Sequence, residues 1–203
     1  MKKGKLVIFE GGEGSGKSTV IKEIGLRLKK DRVKYIITRE PGGSRAAEKV
    51  RNIILNHKLS PMSQLLGFLL ARSIWVDEVI RPALNKGIIV LADRSYPSTY
   101  VYQGLVGGID LSKIHKWHGE ILSGIETSMV VVLDVDHRKG LERSMSTGEV
   151  NVFEAKSLRF HKKVNHGYLQ LAKIYRWKVV DANQDVERVA ENCWRLVKEA
   201  LRR

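Results

Sequence analysis

The chain has 203 residues, enough for one domain with a substantial core, and its 36 basic and 22 acidic side chains give a formal net charge of +14. No apolar run is long enough to span a membrane, and the apolar segment near the N-terminus is too short for a signal peptide. The charge predicts anionic partners, but the basic residues are scattered, so we expect small anions rather than nucleic acid, and no membrane partner.

Apolar, β-branched runs alternate with amphipathic stretches along the whole chain, without a linker. The predicted strands cover residues 5–10, 33–38, 88–93, 129–135 and 178–181, and predicted helices include residues 61–84, 111–123, 155–175 and 186–201. This alternation predicts an α/β fold, with a parallel sheet of about five strands and helices on both faces. Residues 143–151 are small and polar, which predicts a mobile surface loop.

A glycine-rich loop follows the first predicted strand. Residues 9–19 read FEGGEGSGKST and contain the spacing Gly11-x-x-x-x-Gly16-Lys17-Ser18 of a phosphate-binding loop. Glycines let backbone N–H groups turn toward one anion, the lysine reaches the β- and γ-phosphates, and the serine hydroxyl can bind Mg²⁺. The order strand, loop, helix predicts a P-loop NTPase fold that binds a nucleoside triphosphate. The predicted triphosphate-binding residues are Gly11, Gly12, Glu13, Gly14, Ser15, Gly16, Lys17, Ser18 and Thr19.

Arginines stand at the ends of the second and third predicted strands. Arg39 lies in TREPGGS, residues 38–44, and Asp93 and Arg94 lie in ADRSYPSTYVYQG, residues 92–104. In open α/β sheets, ligands bind beyond the carboxyl ends of the strands. Two arginines beside a phosphate loop therefore predict a second anion site, the alternative being that both are solvated surface residues.

Cysteine and histidine usage predicts neither a disulfide nor a metal centre. Cys193 is the only cysteine, so no intrachain disulfide can form, and a cytoplasmic setting is expected. His115 and His118 lie one helical turn apart, and we expect them to form a surface pair rather than a set of metal ligands.

Six motifs, taken in order and spacing, resemble the thymidylate kinases of the bacterial type. They are FEGGEGSGKST, TREPGGS, EKVRNIIL, LLGFLLAR, ADRSYPSTYVYQG and FHKKVNHGYLQLA, and the resemblance runs from about residue 5 to the C-terminus. It implies one P-loop kinase domain over residues 1–203, with a lid at about residues 144–154, and a homodimer. The implied reaction transfers the γ-phosphate of ATP to dTMP with Mg²⁺ as cofactor, giving dTDP and ADP for dTTP synthesis. The alternatives are a kinase for another pyrimidine monophosphate and a nucleotide-binding module with impaired phosphoryl transfer.

The resemblance also implies an acceptor site. Phe68 would stack on the thymine and Arg72 would bond its O4, and their spacing of four residues places both on one helical face. The alternative for Phe68 is a place in the apolar stripe with Leu65 and Leu69. The other implied residues are Arg39, Arg51 and Arg94 at the acceptor phosphate, Thr99 and Gln103 near the base, and Tyr102 beneath the sugar, where it disfavours a 2′-hydroxyl.

Two of the implied acceptor residues keep an alternative. Glu13 should point away from the triphosphate, because like charges repel, and toward the 3′-hydroxyl of the acceptor, unless this loop position is merely permissive. Tyr100 and Tyr102 are expected on the same side of an extended segment, so that either of them can be structural.

The chemistry requires positioned charge rather than a base, because the second pKa of a phosphate monoester lies near ~6 and its oxygen is already ionised at neutral pH. Lys17 and Arg94 would stabilise the transferred group, while Ser18 and Asp93 would hold Mg²⁺ and its waters. Asp93 has a second interpretation as an anchor for arginine. At positions 95 and 97, serine and proline depart from the family pattern.

The lid departs further from that pattern. The motif aligns with NVFE, residues 151–154, so that Val152 stands where the family carries a catalytic arginine, and no lysine or arginine occurs in residues 144–154. Arg143 precedes this stretch, and Lys156 and Arg159 follow it. We predict Arg143 as the substitute catalytic cation, with Lys156 and Arg159 as the alternative, and a lower rate because the geometry of a flanking cation is poorer.

Overall fold

The computed structural model describes residues 3–145, 152–153 and 155–202. Five parallel strands form one sheet in the order β2-β3-β1-β4-β5. The strands are β1 (Leu6–Glu10), β2 (Tyr35–Arg39), β3 (Ile89–Asp93), β4 (Thr127–Asp134) and β5 (Lys178–Asp181). The predicted fold class, an α/β P-loop NTPase fold with a five-stranded parallel sheet between helices, is confirmed. In the described part of the chain, no helix is both long and apolar enough to cross a membrane.

Helices connect the strands. They are α1 (Lys17–Lys30), α2 (Arg45–Asn56), α3 (Pro61–Trp75), α4 (Arg81–Asn85), α5 (Tyr96–Thr99), α6 (Leu111–Ile121), α7 (His137–Met145), α8 (Leu158–Tyr175) and α9 (Val186–Arg202). Two π-helical segments, Val76–Ile80 and Tyr100–Val106, continue α3 and α5. Helix α3 begins after Ser60, whose side chain accepts a hydrogen bond from the N–H of Ser63.

Three sequence predictions about secondary structure need correction. The stretch around residues 100–102 was expected to be extended, and it is helical. Residues 155–157 were expected to belong to the next helix, but α8 starts at Leu158 because the Ser157 side chain caps it by accepting from the N–H of Phe160. The predicted loop over residues 143–151 overlaps α7, which continues to Met145, and residues 146–151 lie outside the described part.

The core has two halves, one on each face of the sheet. Leu6 and Ile8 of β1 pack against α3, α6 and α8, whereas Val7 and Phe9 pack against α1 and α9. All five residues of β1 are buried, as expected for a central strand covered on both faces. Because β1 is buried and paired with a strand on each side, the loop at its carboxyl end starts from the centre of the sheet.

That loop is pressed against α7. Gly14 has a left-handed backbone with φ of 62°, and a Cβ built on it would lie 1.8 Å from the carbonyl oxygen of Gly140. Only a glycine allows this approach. The start of the segment that leads to the predicted lid therefore touches the phosphate loop directly.

Candidate active site

A cavity of about 200 Å³ lies at the carboxyl ends of β1, β2 and β3, beside the phosphate loop. Its walls come from residues that follow these strands, from α2 and α3, and from Phe153. The predicted acceptor residues that line it are Glu13, Arg51, Phe68, Arg72, Arg94, Thr99, Tyr102 and Gln103. Residues far apart in the chain therefore converge on one concave site with aromatic and charged walls, the kind of site that binds small molecules.

Arg94 joins the phosphate loop to this cavity. Its backbone is left-handed, with φ of 69°, and its N–H donates to the carbonyl oxygen of Phe9. Nη1 donates to the carbonyl of Gly11 at 3.0 Å and to the Tyr168 hydroxyl at 3.0 Å, and Nη2 donates to Oε1 of Glu13 at 2.9 Å. Burial alone would lower the pKa of Arg94, but Glu13, Tyr102, Tyr168 and Glu10 together outweigh it, so the pKa is raised and the guanidinium stays charged.

Glu13 faces the acceptor cavity. Its Oε1 accepts from the Tyr102 hydroxyl at 3.0 Å as well as from Arg94. Although burial opposes its charge, Arg94 and then Lys17 hold the pKa of Glu13 below its usual value. Tyr100 points elsewhere, since its hydroxyl bonds Nδ1 of His115 at 2.9 Å. The expectation that Tyr100 and Tyr102 share one side was wrong, because residues two apart diverge on a helix.

The phosphate loop holds its lysine close. Residues 11–16 form the loop, and Lys17, Ser18 and Thr19 begin α1. Nζ of Lys17 donates to the carbonyls of Gly11 and Gly12 at 3.2 and 2.9 Å, and to Oγ of Ser15 at 3.1 Å. Burial, followed by the positive charge of Arg94, lowers the pKa of Lys17 to about 8. The ammonium is therefore desolvated, and it contacts the same loop that is expected to bind a phosphate.

Two oxygen atoms at the loop are suited to a magnesium ion. Oγ of Ser18 donates to Oδ2 of Asp93 at 2.7 Å, across the gap between the first turn of α1 and the end of β3. Mg²⁺ prefers oxygen ligands and usually takes only one or two from the protein, the rest being water and phosphate. A hydroxyl and a carboxylate at this distance fit such an ion.

Aromatic rings and a buried arginine form the far end of the cavity. Phe68 and Phe153 face each other with ring centroids 6.1 Å apart. Arg72, which lines the same end from the next turn of α3, is only 1% exposed. Its Nη2 lies 2.5 Å from Oε1 of Glu40 and donates to Oγ1 of Thr99 at 3.0 Å. This end offers flat apolar surface together with donors, which suits a planar ring that carries carbonyl groups.

Arg39 and Arg51 differ in their surroundings. Arg51 lines the cavity, and its Nη1 donates to the carbonyl of Pro41 at 2.8 Å. Arg39 does not line it, because its guanidinium pairs with Glu48 at 3.0 Å and its side chain is 56% exposed.

Comparison with known proteins agrees with this geometry. The family model for thymidylate kinase matches residues 9–193. The chain is 37% identical to a thymidylate kinase of Carboxydothermus hydrogenoformans, over 92% of this chain and 93% of the relative. It is 40% identical to one of Syntrophotalea carbinolica, over 96% and 95%, and 36% identical to one of Bradyrhizobium diazoefficiens, over 98% and 91%. The chain belongs to the thymidylate kinase family. The resemblance seen in the motifs is thereby confirmed.

The predicted lid motif is where this thymidylate kinase family member departs from the expected pattern. Val152 is partly buried and packs against the core next to Phe153. Nη1 of Arg143 donates to the carbonyl of Ala182 at 3.4 Å, just after β5, and Lys156 and Arg159 are exposed. Asn151 and Glu154 of the NVFE motif, and most of the predicted lid, lie outside the described residues.

Several residues of the site were not predicted from the sequence. Glu10 is fully buried and accepts from the Ser98 hydroxyl at 2.7 Å and the Tyr168 hydroxyl at 2.8 Å. The sequence feature that could have indicated its burial is the position of a carboxylate at the end of an apolar strand. His118 was expected at the surface, but it is 3% exposed and contacts Arg72. It lies four residues after Ile114 on the buried face of α6, which could have indicated its burial.

The depressed pKa of Lys17 yields a prediction about stability. Below about pH 8 the lysine is charged in both states, and burying that charge destabilises the folded protein. Between pH 8 and 10.5 the unfolded chain binds more protons than the folded one, so this cost disappears as the pH rises. We expect Lys17→Met to be more stable than the wild type at pH 7, by on the order of 1–3 kcal/mol, in urea unfolding without nucleotide.

That advantage should shrink steadily when the same unfolding experiment is repeated up to pH 10. Lys22→Met, at an exposed position of the same helix, is the control and should show no comparable trend. A stability difference for Lys17→Met that stays constant with pH would contradict the assigned environment of Lys17.

Proposed function

We propose that this chain transfers the γ-phosphate of ATP to dTMP, producing dTDP and ADP. One structural observation supports this proposal independently of family membership. Arg94 bonds the phosphate loop and also lines the neighbouring cavity. A kinase that joins two nucleotides needs its donor and acceptor phosphates held in line across such a junction. The cavity has aromatic walls suited to a base and sugar, and its cationic residues suit a monophosphate.

Catalysis in this proposal consists of positioning and charge stabilisation. Lys17 would release its contacts with the loop carbonyls and donate to the β- and γ-phosphate oxygens. Arg94 would donate to the group in transfer, since its planar guanidinium can serve two oxygens. No base is required, because the acceptor monophosphate is already ionised near neutral pH.

Mg²⁺ is the cofactor in this proposal, held by the Ser18 hydroxyl with Asp93 behind it. When bound, the ion neutralises negative charge on the triphosphate. The hydrogen bond between Ser18 and Asp93 supports this assignment, because it places two oxygen ligands beside the phosphate loop. Asp93 then orients the hydroxyl or a water of the ion rather than taking a proton from substrate.

The acceptor roles follow the cavity from one end to the other. Phe68 and Arg72 would contact the base, Thr99 and Gln103 would lie beside it, and Tyr102 would pack beneath the sugar. Glu13 would accept from the 3′-hydroxyl. The acceptor phosphate would lie between Arg94 and Arg51. Arg39 is also assigned to that phosphate. Its guanidinium now bonds Glu48, so these bonds must break before Arg39 can bind the phosphate.

The lid assignment keeps one kinase domain over residues 1–203, with residues 144–154 closing over the site. The close approach of Gly14 to Gly140 supports it, because α7, which leads into these residues, lies against the phosphate loop. Arg143 is assigned as the cation that serves in place of the arginine absent at position 152. Its contact with Ala182 would have to change for it to reach the transferred phosphate.

We also propose a homodimer in the cytoplasm. The exposed faces of α2 and α3 carry an apolar cluster made of Ile53, Met62, Leu66 and Leu70, each between 44% and 55% exposed. Several exposed large apolar side chains on two neighbouring helices are typical of an interface between subunits. The single, buried cysteine suits a compartment that keeps thiols reduced.

The direct test is a coupled assay of ADP release with ATP, Mg²⁺ and a panel of monophosphates containing dTMP, dUMP, dCMP and UMP. We expect dTMP to give the highest kcat/KM, with dUMP lower by about 10- to 200-fold, the value of one methyl group in an apolar pocket. Lys17→Ala should abolish turnover and leave the circular dichroism spectrum unchanged. Turnover of Lys17→Ala at the wild-type rate, or a preference for another monophosphate, would refute the proposal.

Tyr102 offers a test of sugar recognition. Its ring packs against Phe153 and Phe160, with centroids 5.7 and 6.0 Å away, so it is a fixed wall of the cavity. We expect Tyr102→Ala to reduce the preference for dTMP over its ribonucleotide by about tenfold or more in kcat/KM, because the clash with a 2′-hydroxyl is removed. Tyr102→Phe keeps the ring and loses only the bond to Glu13, so it should retain the preference. An unchanged preference in Tyr102→Ala would assign the ring to the core alone.

A further inference from the structure

The guanidinium of Arg72 is held from three directions by the protein itself. Nη2 meets Glu40 and Thr99, and Nη1 meets Nε2 of His118, which comes from α6, 46 residues away in the chain. Glu40 is fixed in turn by the hydroxyl of Ser95, which donates to its Oε2 at 2.9 Å. The charge of Arg72 is therefore balanced by Glu40, which leaves His118 without a role in charge balance.

The contact with Arg72 determines the tautomer of His118. An arginine nitrogen only donates, so Nε2 of His118 accepts and the ring proton is on Nδ1. Nδ1 has no hydrogen-bond partner among the described residues and is buried. Burial, followed by the charge of Arg72, lowers the pKa of His118 to about 2, so the ring is neutral. A buried donor without a partner destabilises a fold, and an apolar side chain at this position would avoid that cost.

The packing around His118 keeps the ring in one orientation. The rings of Tyr96 and Tyr100 meet it edge to face, with centroids 5.9 and 5.1 Å away. A neutral ring fixed in this way presents its Nε2 lone pair to Arg72 at one angle. The guanidinium is planar, so one more fixed bond on Nη1 sets the plane in which all of its donors lie.

Few donors of Arg72 are then left for a ligand. A guanidinium has five N–H groups, of which Glu40 and Thr99 take the two on Nη2, and His118 takes one on Nη1. No described residue besides His118 accepts from Nη1, the buried Nε has no partner among the described residues, and Arg72 lines the cavity. The protein thus holds an arginine rigidly while it leaves donors unused, which is what a site for reading an acceptor atom requires.

We propose that His118 is a positioning residue that sets base specificity by fixing the orientation of Arg72. In that orientation the free N–H donors of Arg72 bind a carbonyl oxygen on the base, and they cannot turn away from an amino group on the base. This inference rests on the proposed function, with the pyrimidine base at the end of the cavity next to Phe68. Thymine presents an acceptor oxygen at C4, whereas cytosine presents an amino donor there. An arginine that is free to turn would move away from that amino group. A fixed arginine instead leaves its N–H facing the amino N–H of cytosine, so cytosine binds more weakly than thymine.

The test compares His118→Phe, which removes the accepting nitrogen, with His118→Gln, whose side-chain oxygen can take the place of Nε2. Calorimetry measures the Kd of dTMP, of dCMP and of a non-hydrolysable ATP analogue. We expect His118→Phe to raise the Kd of dTMP by about tenfold, because Arg72 becomes free to turn. The ratio of the Kd of dCMP to that of dTMP should fall by a similar factor. The Kd of the ATP analogue should stay within about twofold, and His118→Gln should keep most of the dTMP affinity.

A double substitution separates positioning from a general role in the core. In an Arg72→Met background, His118→Phe should have no further effect on dTMP binding, since no guanidinium is left to orient. Equal weakening of dTMP and the ATP analogue by His118→Phe, or an unchanged preference for dTMP over dCMP, would overturn the inference. A wild-type protein that does not bind dTMP would instead refute the proposed function.

A second measurement does not depend on how well the variants fold. Nitrogen-15 spectra of the imidazole groups in wild-type protein, with His118→Gln used for assignment, should show Nδ1 protonated and Nε2 unprotonated at neutral pH. Protonation at Nε2 would exclude the bond to Arg72 and with it the inference.

Discussion

The bond between Arg94 and Glu13 is the interaction on which the rest of the site depends. Arg94 directly follows β3 and Glu13 lies in the loop after β1, so the bond ties the ends of two neighbouring strands together beyond the sheet. The same guanidinium holds the carbonyl of Gly11 and the hydroxyl of Tyr168 from α8. Arg94 has a left-handed backbone, which is unfavourable for a residue with a side chain. This conformation directs the arginine back over the phosphate loop.

Paired charges hold the walls of the cavity in place. Ionised groups in a protein interior must be paired, and the site satisfies this with two sets, Arg94 between Glu10 and Glu13, and Arg72 on Glu40. Pairing is incomplete at the second set. Two buried nitrogen atoms have no partner in the described residues here, Nε of Arg72 and Nδ1 of His118. The unused hydrogen-bonding capacity is therefore concentrated where a base would bind, rather than spread through the core.

The sequence predicted those features that depend on local order. The phosphate loop was identified because its glycines, lysine and serine are adjacent, and Phe68 and Arg72 were placed on one face because helical spacing determines it. Features that depend on distant partners were missed or misjudged. His118 meets Arg72 from 46 residues away, and Arg39 is engaged by Glu48, which α2 brings near. The helical path of residues 100–106 was hidden because proline and β-branched residues precede it, and their propensity was overridden by packing against α6 and α8.

The most direct measurement of the central interaction is the Kd of dTMP for Arg94→Lys, determined by calorimetry beside Arg45→Lys at an exposed position of α2. Lysine keeps the positive charge but cannot serve Glu13, Gly11 and Tyr168 at once, because it lacks the planar set of donors. We expect dTMP binding to weaken by about 30-fold or more, the effect of breaking a largely buried, hydrogen-bonded charge pair, while Arg45→Lys binds as the wild type does. Affinity within about twofold of wild type for Arg94→Lys would contradict the role given to this arginine as the link between the phosphate loop and the acceptor cavity.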